Sequence, residues 1–292
     1  MSQNKITVVI PVFNERDAIL TTFTSLDIAL SATQAEYEII AVNDGSTDGS
    51  DAILNNLNIK NFFVVRHPIN RGYGAALKTG ITHAKYPWIL ITDADGTYPV
   101  ESIPSLLEHM HSHDMVVGAR SGQNIHDTLS RKIGRGIVRV FASYVSGAKI
   151  EDVNSGFRIF KKEHAKKFWH LFPDGFSFTT TLSVASHTER HGVKYIPIDY
   201  RKRSGKSSIN PAKDFLGFLS LVTRLAIYFR PLKIFVPLSF SLFALSWIVL
   251  VYGYLSSGTI FDVSWAILLI TSVQVLLFGF LADIMVKRSY NN

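Results

Sequence analysis

Two apolar runs near the end of the chain limit its architecture most. No residue from Ile234 to Leu255 is charged, and from Ser264 to Val286 the single charge is Asp283. At about 1.5 Å per residue, each run can cross a hydrocarbon core of about 30 Å. Both are apolar on every face, unlike the one-sided helices of a soluble hairpin. Between them, residues 256–263 form a short loop without Lys or Arg. Arg224, Arg230 and Lys233 precede the first run, and Lys287 and Arg288 follow the second. The positive-inside rule then predicts a multi-pass protein of the cell (inner) membrane with both termini cytoplasmic. Near the start, Ile6-Thr7-Val8-Val9-Ile10 is too short for a secretory signal and reads as a strand.

A third segment belongs with these runs. In residues 212–229, Phe215, Phe218, Leu219, Val222, Leu225, Ala226 and Phe229 recur at three- and four-residue steps. The pattern predicts an amphipathic helix lying in the membrane interface, with a core helix of the soluble part as the alternative. Pro231 ends it. The expected division is therefore a soluble domain over 1–211, an interfacial helix over 212–232, and two transmembrane helices within 233–292, at about 234–255 and 264–286.

Residues 1–211 alternate short apolar runs with helical stretches. Strands are expected at 6–11, 37–43, 62–66, 88–93, 115–119 and 194–200. Helices are expected at 15–31, 48–57, 72–84, 101–112, 127–146, 161–170 and 178–191. This order predicts an α/β fold, a Rossmann-like and mostly parallel sheet with helices on both faces. Ligands in such sheets bind beyond the carboxyl ends of the strands. Composition narrows the chemistry further. The chain has no cysteine, which excludes disulfides, thiol catalysis and cysteine-ligated metals. Its net charge of +7 points to an anionic partner, either phosphates, lipid headgroups or nucleic acid. No stacking platform or recognition-helix pattern accompanies the basic residues, which argues against nucleic acid.

Polar clusters follow three of the expected strands: Pro11-Val12-Phe13-Asn14-Glu15, then Asn43-Asp44-Gly45-Ser46-Thr47-Asp48-Gly49-Ser50, then Asp93-Ala94-Asp95-Gly96. Asp48 reads as a helix cap. Asp44, at the strand tip, is better placed to reach a ribose or base. Asp93 and Asp95, two apart at a strand end, are expected to point to one side. Two such carboxylates repel unless a cation joins them, and hard oxygen ligands suit Mg²⁺ or Mn²⁺. His109, His111 and His113 would scatter around a helix, so no metal site is expected there. His67 and His164 show no obvious partner in the sequence.

In order and spacing, PVFNE, NDGSTDGS and DADG resemble the family 2 glycosyltransferases of GT-A fold. Asn70-Arg71-Gly72-Tyr73-Gly74-Ala75-Ala76-Leu77 looks like that family's glycine-rich helix start. Asp152-Val153-Asn154-Ser155-Gly156-Phe157-Arg158 resembles the dolichyl-phosphate mannose synthases and the bacterial two-span polyprenyl-phosphate (bactoprenol) glycosyltransferases. The resemblance implies that Pro11, Asn14, Glu15, Asp44 and Asp93 bind the nucleotide sugar. It makes Asp95, with Asp93, the metal ligand, and Asp152 the catalytic residue near the acceptor, as a base or an orienting group. Many mannose synthases have a glutamine metal ligand two residues after the second Asp; here Thr97 stands there, so a hydroxyl or water would replace it. Arg120 and Arg131 resemble the family's phosphate-contacting arginines. Arg131 or Lys132, Arg135 and Arg139 share one helix face, a basic lip for a lipid phosphate or a membrane surface. Arg201-Lys202-Arg203-Ser204-Gly205-Lys206-Ser207-Ser208 resembles the family's phosphate-closing loop, with Arg203 and Lys206 as its phosphate ligands.

The implied reaction is inverting transfer of a hexose from a nucleotide-diphosphate sugar, a UDP-hexose or GDP-mannose, to undecaprenyl or dolichyl phosphate at the cytoplasmic face of the bilayer. A processive polysaccharide synthase is the alternative enzyme, but none of Gln3, Gln34, Gln123 or Gln274 begins its Q-x-x-R-W motif. An inactive lipid-binding scaffold would not be expected to keep Asp44, Asp93, Asp95 and Asp152. Paired spans often associate, so a homo-oligomer is among the expected partners.

Overall fold

The strands form where apolar runs continue without alternation, the pattern of sheets buried on both faces. The computed structural model describes residues 4–121, 129–175, 177–201, 211–258 and 262–290. The elements run β1 (Lys5–Val12), α1 (Arg16–Ser31), β2 (Glu36–Asp44), α2 (Ser50–Asn56), β3 (Phe62–His67), α3 (Tyr73–His83), β4 (Trp88–Ile91), α4 (Ile103–His109), β5 (Met115–Ser121), α5 (Leu129–Ser146), β6 (Arg158–Lys161), α6 (Lys162–Lys167), α7 (Phe178–Thr188) and β7 (Val193–Asp199). Three helices follow: α8 (Pro211–Phe229), α9 (Leu232–Ser257) and α10 (Asp262–Tyr290).

The seven strands make one sheet in the order β3-β2-β1-β4-β6-β5-β7. The pairings of β1 with β2 and β4, of β2 with β3, and of β5 with β7 are parallel. Only β6 runs against its neighbours, β4 and β5. The mostly parallel α/β fold expected from the sequence is therefore present. On one face Ile6, Val8, Ile10 and Val12 pack with Ile19, Phe23, Leu26 and Leu30 of α1 and Leu106 of α4. On the other, Ile40 and Val42 pack with Ala76 of α3. Burial of this apolar area is the main favourable term in folding.

Strand β6 was not foreseen. Its four residues begin with Arg158 and end with Lys161, so no apolar run marks it. Because it is antiparallel, it starts at the edge where the parallel strands finish: Arg158 lies opposite Ile91 and Val117. The stretch 152–157 is thereby delivered to the same edge as the polar ends of β1, β2, β4 and β5.

The chain divides into two compact units, Met1–Leu219 and Ser220–Asn292. In the second, Leu232–Ser256 and Val263–Arg288 are long and apolar enough to cross a membrane. The helices α9 and α10 pair closely. The Ser239 hydroxyl donates to the Ser272 carbonyl at 2.7 Å, and a Cβ on Gly279 would come within 2.6 Å of Phe235 Cβ. Small residues let such helices approach, and a hydroxyl satisfied across the pair suits an apolar surround. In α8, Val222, Leu225, Ala226 and Phe229 are buried at the expected three- and four-residue steps, while Arg224 is exposed.

Candidate active site at the carboxyl edge of the sheet

The first two polar clusters are bound to each other. Asn14, in the left-handed region at φ 54°, accepts the Thr47 N–H at 2.8 Å, and its own N–H donates to Ser46 Oγ at 3.1 Å. The Glu15 N–H donates to Ser50 Oγ at 3.1 Å. Asp48, read from the sequence as a helix cap, precedes the N-cap residue Gly49 and accepts the first N–H of two helices: Arg16 at the start of α1 and Ser50 at the start of α2, at 3.0 and 2.9 Å. Burial works to raise its pKa, yet the hydrogen bonds from Ser50 and Arg16 prevail and leave it below the usual carboxylate value. Pro11, Asn14 and Glu15 thus sit on a rigid double loop at the sheet edge.

Asp44 is only 2% exposed. Its Oδ1 faces His67 Nδ1 at 2.6 Å and accepts the Arg71 N–H at 2.9 Å, while Oδ2 accepts the Gly72 N–H at 2.8 Å. The carboxylate is an acceptor only, so Nδ1 carries the proton. His67 Nε2 meets Thr79 Oγ1 at 2.9 Å. His67, which had no visible partner in the sequence, therefore belongs to a buried Thr79–His67–Asp44 chain that fixes the turn before α3. Both Asp44 oxygens are committed to the protein. His164 likewise has partners: Ser186 Oγ at 2.8 Å and the ring of His191.

The glycine-rich start of α3 is closed by protein. Gly74 and Ala75 donate their N–H groups to the carbonyls of Gly175 and Asp174 at 3.0 and 2.8 Å. A Cβ at Gly74 would lie 2.1 Å from the Pro173 oxygen. Close backbone packing explains this glycine, and these two donors are not free for a phosphate.

The acids of the third cluster lie past the end of β4, in a turn where Gly96 has φ +72°. Strand alternation, which the sequence argument used to place them on one side, no longer applies there. Tyr73 Oη donates to Asp93 Oδ1 at 3.0 Å. A Cβ at Gly156 would come within 3.0 Å of both that oxygen and the Tyr73 hydroxyl, so the 152–157 stretch abuts Asp93 directly. Asp95 Oδ1 accepts both the backbone N–H and the hydroxyl of Thr97, at 3.1 and 2.7 Å. Thr97 is fully buried. Its hydroxyl donates to Asp95 and helps to orient that carboxylate. No group of three or more His, Cys, Asp or Glu side chains able to hold a metal occurs among the described residues. The donor set fits a small hard cation held by one or two carboxylates, with the rest of its shell from substrate phosphates and water.

On the far side, Arg120 and Asp152 form a two-pronged ion pair. Arg120 Nε donates to Oδ2 at 2.7 Å, Nη2 to Oδ1 at 2.8 Å, and its backbone N–H to Oδ2 at 3.1 Å. Oδ1 also accepts the Asn154 N–H at 3.1 Å. Burial pushes the Asp152 carboxyl up, but the Arg120 guanidinium outweighs it and holds the group below the usual range. The Tyr200 ring covers the guanidinium, 5.4 Å from Cζ. Tyr200 also stands edge-on to Tyr98. Tyr98 accepts the Gly156 N–H at 2.7 Å and stacks on Phe157. Tyr73, Tyr98 and Tyr200 thus join the acid turn to the Arg120–Asp152 pair. Tyr73 entered the sequence reading only as part of the glycine-rich motif, and Tyr98 and Tyr200, lone tyrosines outside any motif, were not singled out. Arg131 lies in α5 with its side chain outside the described residues, and Arg203 and Lys206 lie outside them altogether.

Comparison with known proteins bears on the family and the fold. Residues 7–169 match the family described as glycosyl transferase family 2, and residues 230–287 match the GtrB C-terminal hairpin. A bactoprenol glucosyl transferase of Shigella phage SfV is 33% identical over 162 residues, 54% of this chain and 52% of that protein. This chain's match spans about half the length of such curated relatives. A dolichyl-phosphate hexose transferase of Haloferax volcanii is 27% identical over 70% of this chain and 86% of its own. Among solved structures, glucosyl-3-phosphoglycerate synthase of Mycobacterium tuberculosis, with Mn²⁺, UDP-glucose and phosphoglyceric acid, superposes with a TM-score of 0.56 at 16% identity, covering 79% of each chain. That likeness concerns the GT-A fold.

Proposed function

The chain belongs to glycosyl transferase family 2, and on that premise we propose that it transfers a hexose from a nucleotide-diphosphate sugar to a polyprenyl phosphate. The observation that carries this reading is the coexistence of a family 2 domain with a C-terminal hairpin long and apolar enough to cross a membrane. A water-soluble donor and a lipid-borne acceptor are the substrates such a pair would join. Names of relatives acting on bactoprenol or dolichyl phosphate support the acceptor class. The UDP-glucose in a structural neighbour supports a UDP-hexose as the donor. Positive flanks on both spans support cytoplasmic termini and a catalytic domain on that side.

In this reading the double loop at Pro11–Glu15 and Asp44–Ser50 holds the nucleoside, and Asp44 shapes the turn beneath it. Asp95, with Asp93, would hold Mg²⁺ or Mn²⁺, which supplies charge neutralisation for the leaving diphosphate. The acceptor phosphate attacks the anomeric carbon as the diphosphate departs from the opposite face, so the configuration inverts. A phosphate ester has its second pKa near about 6, so it is largely ionised at neutral pH and needs little help from a base. The pairing of Asp152 with Arg120 suits orientation better than proton removal: a carboxylate held below its usual pKa is a weak base. Arg120, which donates to Asp152 through Nε and Nη2, would meet the phosphate as part of that pair. Arg131, Arg203 and Lys206 would add charge around the same phosphates.

The test is transfer of radiolabelled glucose from UDP-glucose to a short polyprenyl phosphate by the full chain in detergent. A lipid-linked, mild-acid-labile hexose, formed with Mn²⁺ and abolished by a chelator, is the expected product. A polymer, free sugar only, or full activity in excess chelator overturns the assignment.

A further inference from the structure

Among the described residues Arg158 is the largest fully buried side chain. Its Nε donates to the Ser155 carbonyl at 2.9 Å, and Nη1 donates to the Thr179 carbonyl at 3.0 Å and to Ser183 Oγ at 2.9 Å. Nη2 reaches the carbonyls of Ser155 and Val153. Among the described residues no Asp or Glu lies within ion-pair distance of it. Every acceptor is a neutral dipole, and none cancels the charge.

A buried, unpaired guanidinium is costly, since desolvation is not repaid by an opposite charge. A residue that only linked α7 to the 152–155 stretch could do so without a charge. The location suggests a use. Arg158 holds the carbonyls of the turn that carries Asp152, and the Ser155 hydroxyl ties that turn to the Gly118 carbonyl of β5 at 2.6 Å. Its charge acts on Asp152, Tyr73, Tyr98 and Tyr195. Arg120 and Asp152 cancel as a pair. Asp93 lies against Gly156 and Asp95 follows in the same turn; in the proposed reading the divalent cation they would hold offsets both, and the charge then left at this end of the site is that of Arg158, so the ground beneath the Arg120–Asp152 pair is net positive. A sugar hydroxyl would gain nothing from that, whereas a phosphate dianion would.

We infer that Arg158 is a positioning residue that fixes the 152–155 turn and selects an anionic, phosphate-bearing acceptor through its uncompensated buried charge. The inference rests on the reading of the Arg120–Asp152 end as the acceptor side.

Two quantities separate this role from plain structural support. The first is the affinity of the full chain in detergent for farnesyl phosphate, titrated with Mn²⁺ and without donor. The second is its affinity for UDP with Mn²⁺. Arg158→Gln, which removes the charge, is expected to weaken farnesyl phosphate binding about ten- to thirty-fold, the scale of one unit charge acting across several ångströms of protein. UDP binding should stay within about threefold. Arg158→Lys, which keeps the charge, should hold farnesyl phosphate within about threefold of the wild type. Should Arg158→Gln fail to fold, Ser183→Asp sets a carboxylate beside Nη1 and neutralises the charge in place; the same selective loss is expected. Farnesyl phosphate affinity unchanged in the neutralised variants, or UDP affinity falling equally, overturns the inference. If the wild type binds farnesyl phosphate but makes no glycolipid, the transferase reading fails while the Arg158 comparison still gives its answer.

Discussion

At the scale of single residues, Asp152 is held so firmly that its chemistry can be decided by coupling. If it acts through Arg120, Asp152→Asn strands a buried guanidinium, and breaking such a pair costs about 3–5 kcal/mol. Transfer is then expected to fall by about 10²–10³-fold, and Asp152→Asn combined with Arg120→Met should be no worse than the poorer single variant. A base independent of Arg120 would instead give multiplying losses. The rate–pH profile offers a second check. The Asp152 carboxyl lies below its ordinary pKa, so it stays ionised through the mildly acidic range and should produce no acid limb above about pH 4. His164 gives a separate pH signature. Burial, with His191 adding to it, pushes its pKa down to about 4 from 6.5. The unfolded chain takes up this proton below about pH 6.5, and the folded chain does so only near pH 4. Stability therefore falls as pH drops from about 6.5 towards 4 and levels off below that. Between pH 7 and pH 5 this amounts to about 2 kcal/mol. His164→Gln should remove that share of the acid sensitivity, read as a smaller drop in thermal midpoint between the two pH values. Equal drops in wild type and variant would rule the residue out as the source.

At the scale of elements, tight joints limit what can be changed. The first turn of α3 is pressed against the 173–175 backbone, and an added Cβ at Gly74 would lie 2.1 Å from a carbonyl oxygen. Gly74→Ala gains helix propensity, about 1 kcal/mol at most. Forcing the two backbones apart is expected to outweigh that gain, for a net loss of about 1–3 kcal/mol, seen as a lower thermal midpoint; a raised midpoint would show that the loop can yield. The same joints mark where sequence reading stopped. Strands β1, β2 and β5 were legible because burial on both faces leaves long apolar runs. Strand β6 was not, being four residues with a cation at each end. The acid clusters could be read because each sits just after a strand. Their supports could not: Tyr98 and Tyr200 meet across the fold, and Asp44 finds its donors at residues 67, 71 and 72 only once β3 has paired with β2. Arg158 looked like the end of a motif. Its burial depends on an antiparallel strand that no local pattern announces.

At the scale of the whole molecule, a basic chain of net charge +7 joins a polar transferase unit to an apolar hairpin. The proposed reaction requires the catalytic unit on the side where nucleotide sugars are made, so orientation is part of the function. The cations bear on this directly. Arg224, Arg230 and Lys233 precede the first span, Lys287 and Arg288 end the second, and the 256–263 loop has neither Lys nor Arg. Each cation carried across the bilayer would oppose insertion, so the short loop without Lys or Arg is the part expected to cross. The chain contains no cysteine, so a single introduced thiol reports without background. Ser257→Cys, in the 256–263 loop, should react with a membrane-impermeant maleimide in intact spheroplasts. Ser2→Cys, at the other end of the chain, should react only after the membrane is opened. Labelling in the reverse order would place the catalytic unit on the outer face, away from its donor, and the proposed reaction would fail with it. Labelling of both sites in intact spheroplasts would mean that the hairpin does not span.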